Sequence, residues 1–149
     1  MRLYIGSDHA GYALKEQLAG HLTDRGHDVV DIGAPGYDPA DDYPPFCFAT
    51  GLAVVRDPGS LGIVIGGSGN GEQIAANKVR GVRAALAWST ETARLAREHN
   101  DAQVVAIGAR MHPRAEAVAI VEEFIATPFT GELRHVRRLE LISAHESTS

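Results

Sequence analysis

The chain has 149 residues, a formal net charge of −5 and one cysteine, Cys47. That length suits one domain with its own apolar core; the charge argues against a nucleic-acid groove, and a lone cysteine excludes a disulfide framework or a cysteine-built zinc site. No apolar run reaches the ~18 residues of a membrane span and nothing resembles a signal peptide, so a cytoplasmic protein with no membrane partner is expected.

Residues 2–6 (RLYIG) are a short apolar run, read as a first strand. Residues 12–24 place Leu14, Leu18 and Leu22 four apart, the spacing of one helix face. Residues 28–32 (DVVDI) are a second strand, and 33–45 (GAPGYDPADDYPP) are the one long loop, rich in Pro, Gly and Asp. A helix over 45–56, a strand over 61–65, a helix over 70–79 and a strand over 82–87 follow. A helix over 89–98, a strand over 103–107 and helices over 113–126 and 131–145 complete the chain. The last residues, HESTS, read as a frayed end, so about 144–149 are expected to form a flexible tail. No repeat or linker divides the chain, so 1–149 is expected to be a single domain. Alternation of this kind predicts an α/β fold with a parallel sheet covered on both faces.

Ligands of such sheets bind beyond the carboxyl ends of the strands, which directs attention to GSDHAG (6–11), GGSGNGE (66–72), WST (88–90) and GARMH (108–112). The second resembles a phosphate loop, since a glycine-rich turn running into a helix points backbone N–H groups at an anion. It fails the known patterns. A dinucleotide fingerprint starting at Gly67 and Gly69 needs a third glycine where Glu72 stands. A triphosphate loop starting at Gly66 and Gly71 needs lysine at the same place. Two readings of Glu72 stay open on the residues alone. Acidic residues favour the first helical turn, with Asn70 as cap and Gln73 closing a capping box. Alternatively, Glu72 is a base beside amides that stabilise a developing oxyanion, as carbon-acid deprotonation next to a carbonyl requires. The second reading describes an aldose–ketose isomerase.

Other polar residues fit that chemistry. His99 and Asn100 end a helix, and histidine exchanges protons near neutral pH. Arg134 and Arg138 are i, i+4 on the last helix, and two guanidinium groups on one face suit a phosphate dianion, although such a pair is also an ordinary solvated face. None of the seven histidines has i, i+4 metal-ligand spacing, so no metal is expected.

Taken together, GSDHAGYALK, DYP, GGSGNGEQIAANKVRGVRAAL, REHNDAQVVAIGAR and RHVRRL resemble the ribose-5-phosphate isomerase B family of sugar-phosphate isomerases, in order and over nearly the whole chain. The resemblance implies a Rossmann-like three-layer sandwich with five parallel strands and a C-terminal helix. It implies cofactor-free interconversion of ribose 5-phosphate and ribulose 5-phosphate through an enediolate. It also implies a homodimer or dimer of dimers with shared active sites. Carried over by position, Asp8 and His9 contact the sugar and its phosphate, and Tyr43 lines the pocket. Gly67, Ser68, Gly69, Asn70 and Gly71 bind the reacting end. His99 donates a proton in ring opening. Asn100, Arg110, Arg134 and Arg138 bind substrate, the arginines mainly at the phosphate, with His135 nearby. Many members carry their base as a cysteine at the position of Gly66; this chain resembles a subgroup without that cysteine, in which a glutamate at Glu72 is the base. A hexose 6-phosphate isomerase, such as one for allose or galactose 6-phosphate, and a non-catalytic sugar-phosphate sensor are the alternative readings.

Overall fold

The computed structural model describes residues 1–148. Strands β1 (Arg2–Ser7), β2 (Asp28–Asp31), β3 (Leu61–Gly66), β4 (Ala84–Leu86) and β5 (Val104–Gly108) alternate with helices α1 (Tyr12–Asp24), α2 (Tyr43–Arg56), α3 (Asn70–Ala76), α4 (Thr90–Asn100), α5 (Arg114–Ala126) and α6 (Leu133–Ser147). The strands form one five-stranded sheet in the order β2-β1-β3-β5-β4, with every pairing parallel. β3 and β5 are buried along their whole length, as continuous apolar strands covered on both faces must be. One face carries Leu14, Leu18 and Leu22 of α1, Ala93 and Ala96 of α4 and the buried stripe of α5. The other carries Cys47 and Val54 of α2 and Ala75 and Ala76 of α3. The expected α/β three-layer architecture is the one observed.

Several boundaries differ from those expected, each for a local reason. α2 begins at Tyr43, inside the expected loop, because Pro44 and Pro45 occupy its first turn, where a missing N–H costs nothing. α3 ends at Ala76 instead of 79: Lys78 and Val79 tighten into i→i−3 bonds to Ala75 and Ala76 (3.0 and 3.1 Å). Asn77 turns instead to edge strand β4, accepting the Ala84 N–H at 2.8 Å and donating to the Ala84 carbonyl at 3.0 Å. β4 is correspondingly short. A 3-10 turn over His9–Gly11, not foreseen from the sequence, precedes α1. α6 runs to Ser147, so most of the expected tail is helical, and Ser149 lies outside the described residues.

The strand order creates the crevice. From β1 the chain goes outward to β2, then returns past β1 to β3. The loops leaving β1 and β3 therefore diverge to opposite faces, the arrangement that opens a ligand cleft at the carboxyl edge. Among the described residues no helix is long and apolar enough to cross a membrane.

Candidate active site

Two loops build the carboxyl edge at this reversal. After β1, the Asp8 carboxylate accepts the Ala10 N–H at 3.0 Å and starts the 3-10 turn. After β3, the chain passes Gly66 to Gly69, where φ is +87°, a left-handed value that favours glycine. A Cβ at Gly69 would also stand 2.6 Å from the Leu86 side chain. α3 starts from Gly69, not Asn70, and Glu72 reaches back to accept the Gly69 N–H at 3.1 Å. The expected Asn70–Gln73 capping box does not form. The cap is one residue earlier, and Glu72 itself makes it.

Glu72 is 4% exposed, and its carboxyl lies where a side chain at Gly66 would begin. A β-carbon at 66 would fall on the Glu72 carboxyl carbon and both its oxygens. A cysteine at 66 and a glutamate at 72 in this pose are thus alternatives for one volume. Burial raises the Glu72 pKa above the ordinary carboxylate value; its own backbone amide opposes this, the Asp8 charge adds to it, and the Gly69 amide opposes it again. Cys47 lies across the sheet face in α2, fully buried. Burial, with the Glu72 and Asp8 charges, pushes its thiol up to about 12. It stays protonated and packs as a small apolar group.

Other expected residues gather here. The Tyr43 ring lies against Gly71, where a Cβ would meet it. Arg110, just past β5, donates its backbone N–H to the Gly67 carbonyl at 3.0 Å, and its guanidinium lies beside Gly67. Ser68 accepts the Asn70 N–H at 3.2 Å. His9 is held by Asp41, from the loop before α2: one carboxylate oxygen receives the His9 backbone N–H at 2.8 Å and lies 2.9 Å from Nδ1. Asp8, His9 and Asp41 are the one group of described carboxylates and imidazoles close enough to share a cation, their ligand atoms within 4.8 Å. Within it, Asp8 Oδ1 accepts from Ala10 and Asp41 Oδ1 serves His9.

His99, Asn100, Arg134 and Arg138 are not brought to this edge within one chain. His99 and Asn100 end α4, before β5 begins, whereas Arg110 follows β5. The Asn100 carbonyl accepts from Arg83, the residue leading into β4. A strand's length, roughly 15 Å, separates the two sets. The second set has its own coherence: His99 stacks on His135 of α6, with ring centroids 4.4 Å apart and planes inclined by 19°. His135 is buried and its Nε2 has no partner. Burial and the neighbouring His99 lower its pKa. Arg134 and Arg138, one turn apart on α6, are exposed, with Arg134 bonded to Glu132 at 3.0 Å. The residues missed at sequence level are Asp41 and Lys15, both charged groups whose role depends on long-range contacts.

Residues 3–142 match the family model described as Ribose/Galactose Isomerase. The chain is 60% identical over 148 residues to the ribose-5-phosphate isomerase B of Mycolicibacterium paratuberculosis, covering 99% of this chain and 93% of that one. It is 37% identical to the Escherichia coli ribose-5-phosphate isomerase B, covering 97% and 96%. A crystal structure of the Mycoplasma genitalium ribose-5-phosphate isomerase B with bound ribulose-5-phosphate is similar at a TM-score of 0.95 and 40% identity, covering 99% of this chain and 97% of that one. The type B enzyme of Trypanosoma cruzi gives 0.95 and 39% over the full length of both chains. Sequence and backbone agree from the first strand into the last helix: the chain belongs to the ribose/galactose isomerase family.

Proposed function

We propose that the protein interconverts D-ribose 5-phosphate and D-ribulose 5-phosphate, with Glu72 as the base, as in family members that lack the cysteine before the glycine loop. The observation that carries this is the shared volume of Gly66 and Glu72: the carboxylate sits where such a cysteine would project.

The open-chain aldose carries an acidified hydrogen at C2, beside the C1 carbonyl. Glu72 takes that proton and returns it to C1, while a proton moves between the two oxygens through the enediolate. Burial strengthens Glu72 as a base for this proton. Its bond to the Gly69 N–H holds the carboxylate in one direction. With the Gly69 and Asn70 amides bonded within the loop, those of Gly67, Ser68 and Gly71 serve the enediolate oxygen. Asp8 and Tyr43 position the sugar. Arg110 and His9 approach the phosphate from this edge.

Ring opening by His99 must occur at the same end of the sugar as deprotonation. One chain holds His99 and Glu72 at opposite edges of the sheet, so the site is completed by a second copy bringing His99, Asn100, Arg134 and Arg138. The exposed apolar side chains of α6, Leu133, Leu141 and Ile142, suit such a contact. Burial and the neighbouring His99 hold the His135 pKa below its ordinary value, which favours the neutral ring in this stacked pair.

Glu72→Gln should bind ribose 5-phosphate with little change yet lose turnover ~10²–10⁴-fold, together with exchange of the C2 hydrogen with solvent. Exchange at the wild-type rate would refute the assignment of the base. Parallel assays with allose 6-phosphate and galactose 6-phosphate test the pentose preference.

A further inference from the structure

The 33–42 loop carries three aspartates with three different jobs. Asp38 closes a local turn on the Ala40 N–H at 3.0 Å. Asp42 is the N-cap residue of α2. Asp41 alone reaches across to the β1 loop, with a side chain 12% exposed. Its Oδ1 receives the His9 backbone N–H at 2.8 Å and meets Nδ1 of the same residue at 2.9 Å.

From this we infer that Asp41 is a positioning residue, which sets the rotation and protonation of His9 so that Nε2–H faces the substrate's phosphate. The inference rests on the reading of His9 as a substrate ligand. A carboxylate only accepts, so the Nδ1 beside it carries a hydrogen. Two bonds to one oxygen, from the backbone and the ring of one residue, leave the imidazole no free rotation. The ring's other nitrogen, Nε2, takes no part in the bond to Asp41, and the side chain is 28% exposed. The edge of the exposed Tyr37 ring packs near the imidazole, with centroids 6.4 Å apart, and adds no charge. Asp8, on the same turn, is the other carboxylate nearby.

The charge follows from the geometry. The Asp41 bond raises the His9 pKa; partial burial opposes this, and the Asp8 charge adds to it. An imidazolium held this way gives a phosphate dianion a charge-assisted donor. Arg110 on this edge carries a fixed charge, so His9 adds the pH-dependent part of phosphate capture.

The test uses the full-length protein and the variants Asp41→Asn, His9→Asn and the two combined, with Asp41→Ser as a second uncharged form should Asn disturb the loop. NMR titration of the His9 ring reads the pairing without substrate. Loss of the charge is expected to lower the His9 midpoint toward the ordinary value of about 6.5. In steady-state kinetics near neutral pH, Asp41→Asn is expected to raise the KM for ribose 5-phosphate about tenfold, with a smaller effect on kcat. The double variant is expected to be no worse than His9→Asn, because one interaction is removed in both. An unmoved titration, or penalties that multiply, overturns the proposal and leaves Asp41 a loop anchor. If the titration moves but His9→Asn leaves KM unaltered, the reading of His9 as ligand falls, and the positioning role of Asp41 with it.

Discussion

In the proposed mechanism Glu72 combines two roles that sequence patterns treat as competitors. Its bond to the Gly69 N–H is a helix cap, and the same bond aims a buried carboxylate. The pH consequences have opposite signs for activity and stability. Activity requires the ionised form, so kcat/KM should fall with decreasing pH at a midpoint above the ordinary glutamate value of about 4.3, because burial raises the folded-state pKa. Stability prefers the neutral form: the contribution of Glu72 is fully present below the unfolded-state pKa and is lost as pH rises through the folded one. Glu72→Gln, which keeps an oxygen for the cap, should therefore melt higher than wild type near neutral pH, and the difference should shrink in acid. Equal melting temperatures at neutral pH would mean that the carboxylate is not strained by burial. Gly66→Ala places a carbon on the Glu72 carboxyl. It should cost about 1–3 kcal/mol by overpacking and remove most turnover, as read by urea denaturation and kcat. The sequence named Glu72 and left cap and base as alternatives, because a one-dimensional spacing shows which residues share a turn and not what fills the space at Gly66.

At the level of elements, a buried lysine ties α1 to β2 and to the loop that follows. Lys15 is fully buried, and its ammonium bonds Asp31 at 2.5 Å and Glu16 at 3.1 Å and lies 4.9 Å from the centre of the Tyr12 ring. Asp31 also accepts the Gly33 N–H at 2.8 Å, fixing the first residues of the loop that later delivers Asp41. Burial pulls the lysine pKa down, but the bonds to Asp31 and Glu16 outweigh it and hold the pKa above its ordinary value. The resulting stabilisation is full below the unfolded lysine value of about 10.4 and is lost as pH climbs through the folded one. Lys15→Ala removes both the ion pair and the packed stem, so it should cost about 2–5 kcal/mol, measured by urea denaturation at neutral pH. The spacing of Leu14, Leu18 and Leu22 made α1 legible, yet the same helix hides Lys15, whose burial depends on partners across the fold. Helix ends were least legible where side chains serve distant backbone, as Asn77 does for Ala84.

For the whole molecule, the proposed function makes activity depend on assembly, because its site residues are divided between the two edges of the sheet. In a shared-site dimer, a heterodimer of Glu72→Gln and His99→Ala has one site with both defects and one with neither. Mixing the two inactive proteins after partial unfolding and reassembly should restore roughly a quarter of wild-type activity, since half the dimers are mixed and each has one good site. No recovery would place Glu72 and His99 in the same chain's site. The alternation of apolar strands and helices, the glycine loop with its carboxylate, and the order of the motifs were determined by the sequence alone, because local periodicity and turn chemistry act over a few residues. Only the tertiary structure decided that Glu72 fills the place of a side chain at Gly66, that Asp41 grips His9, and that His99 stacks on His135 far from the glycine loop. Those facts depend on which residues distant in the chain compete for one volume or share one hydrogen bond, and strand order, not spacing, sets that.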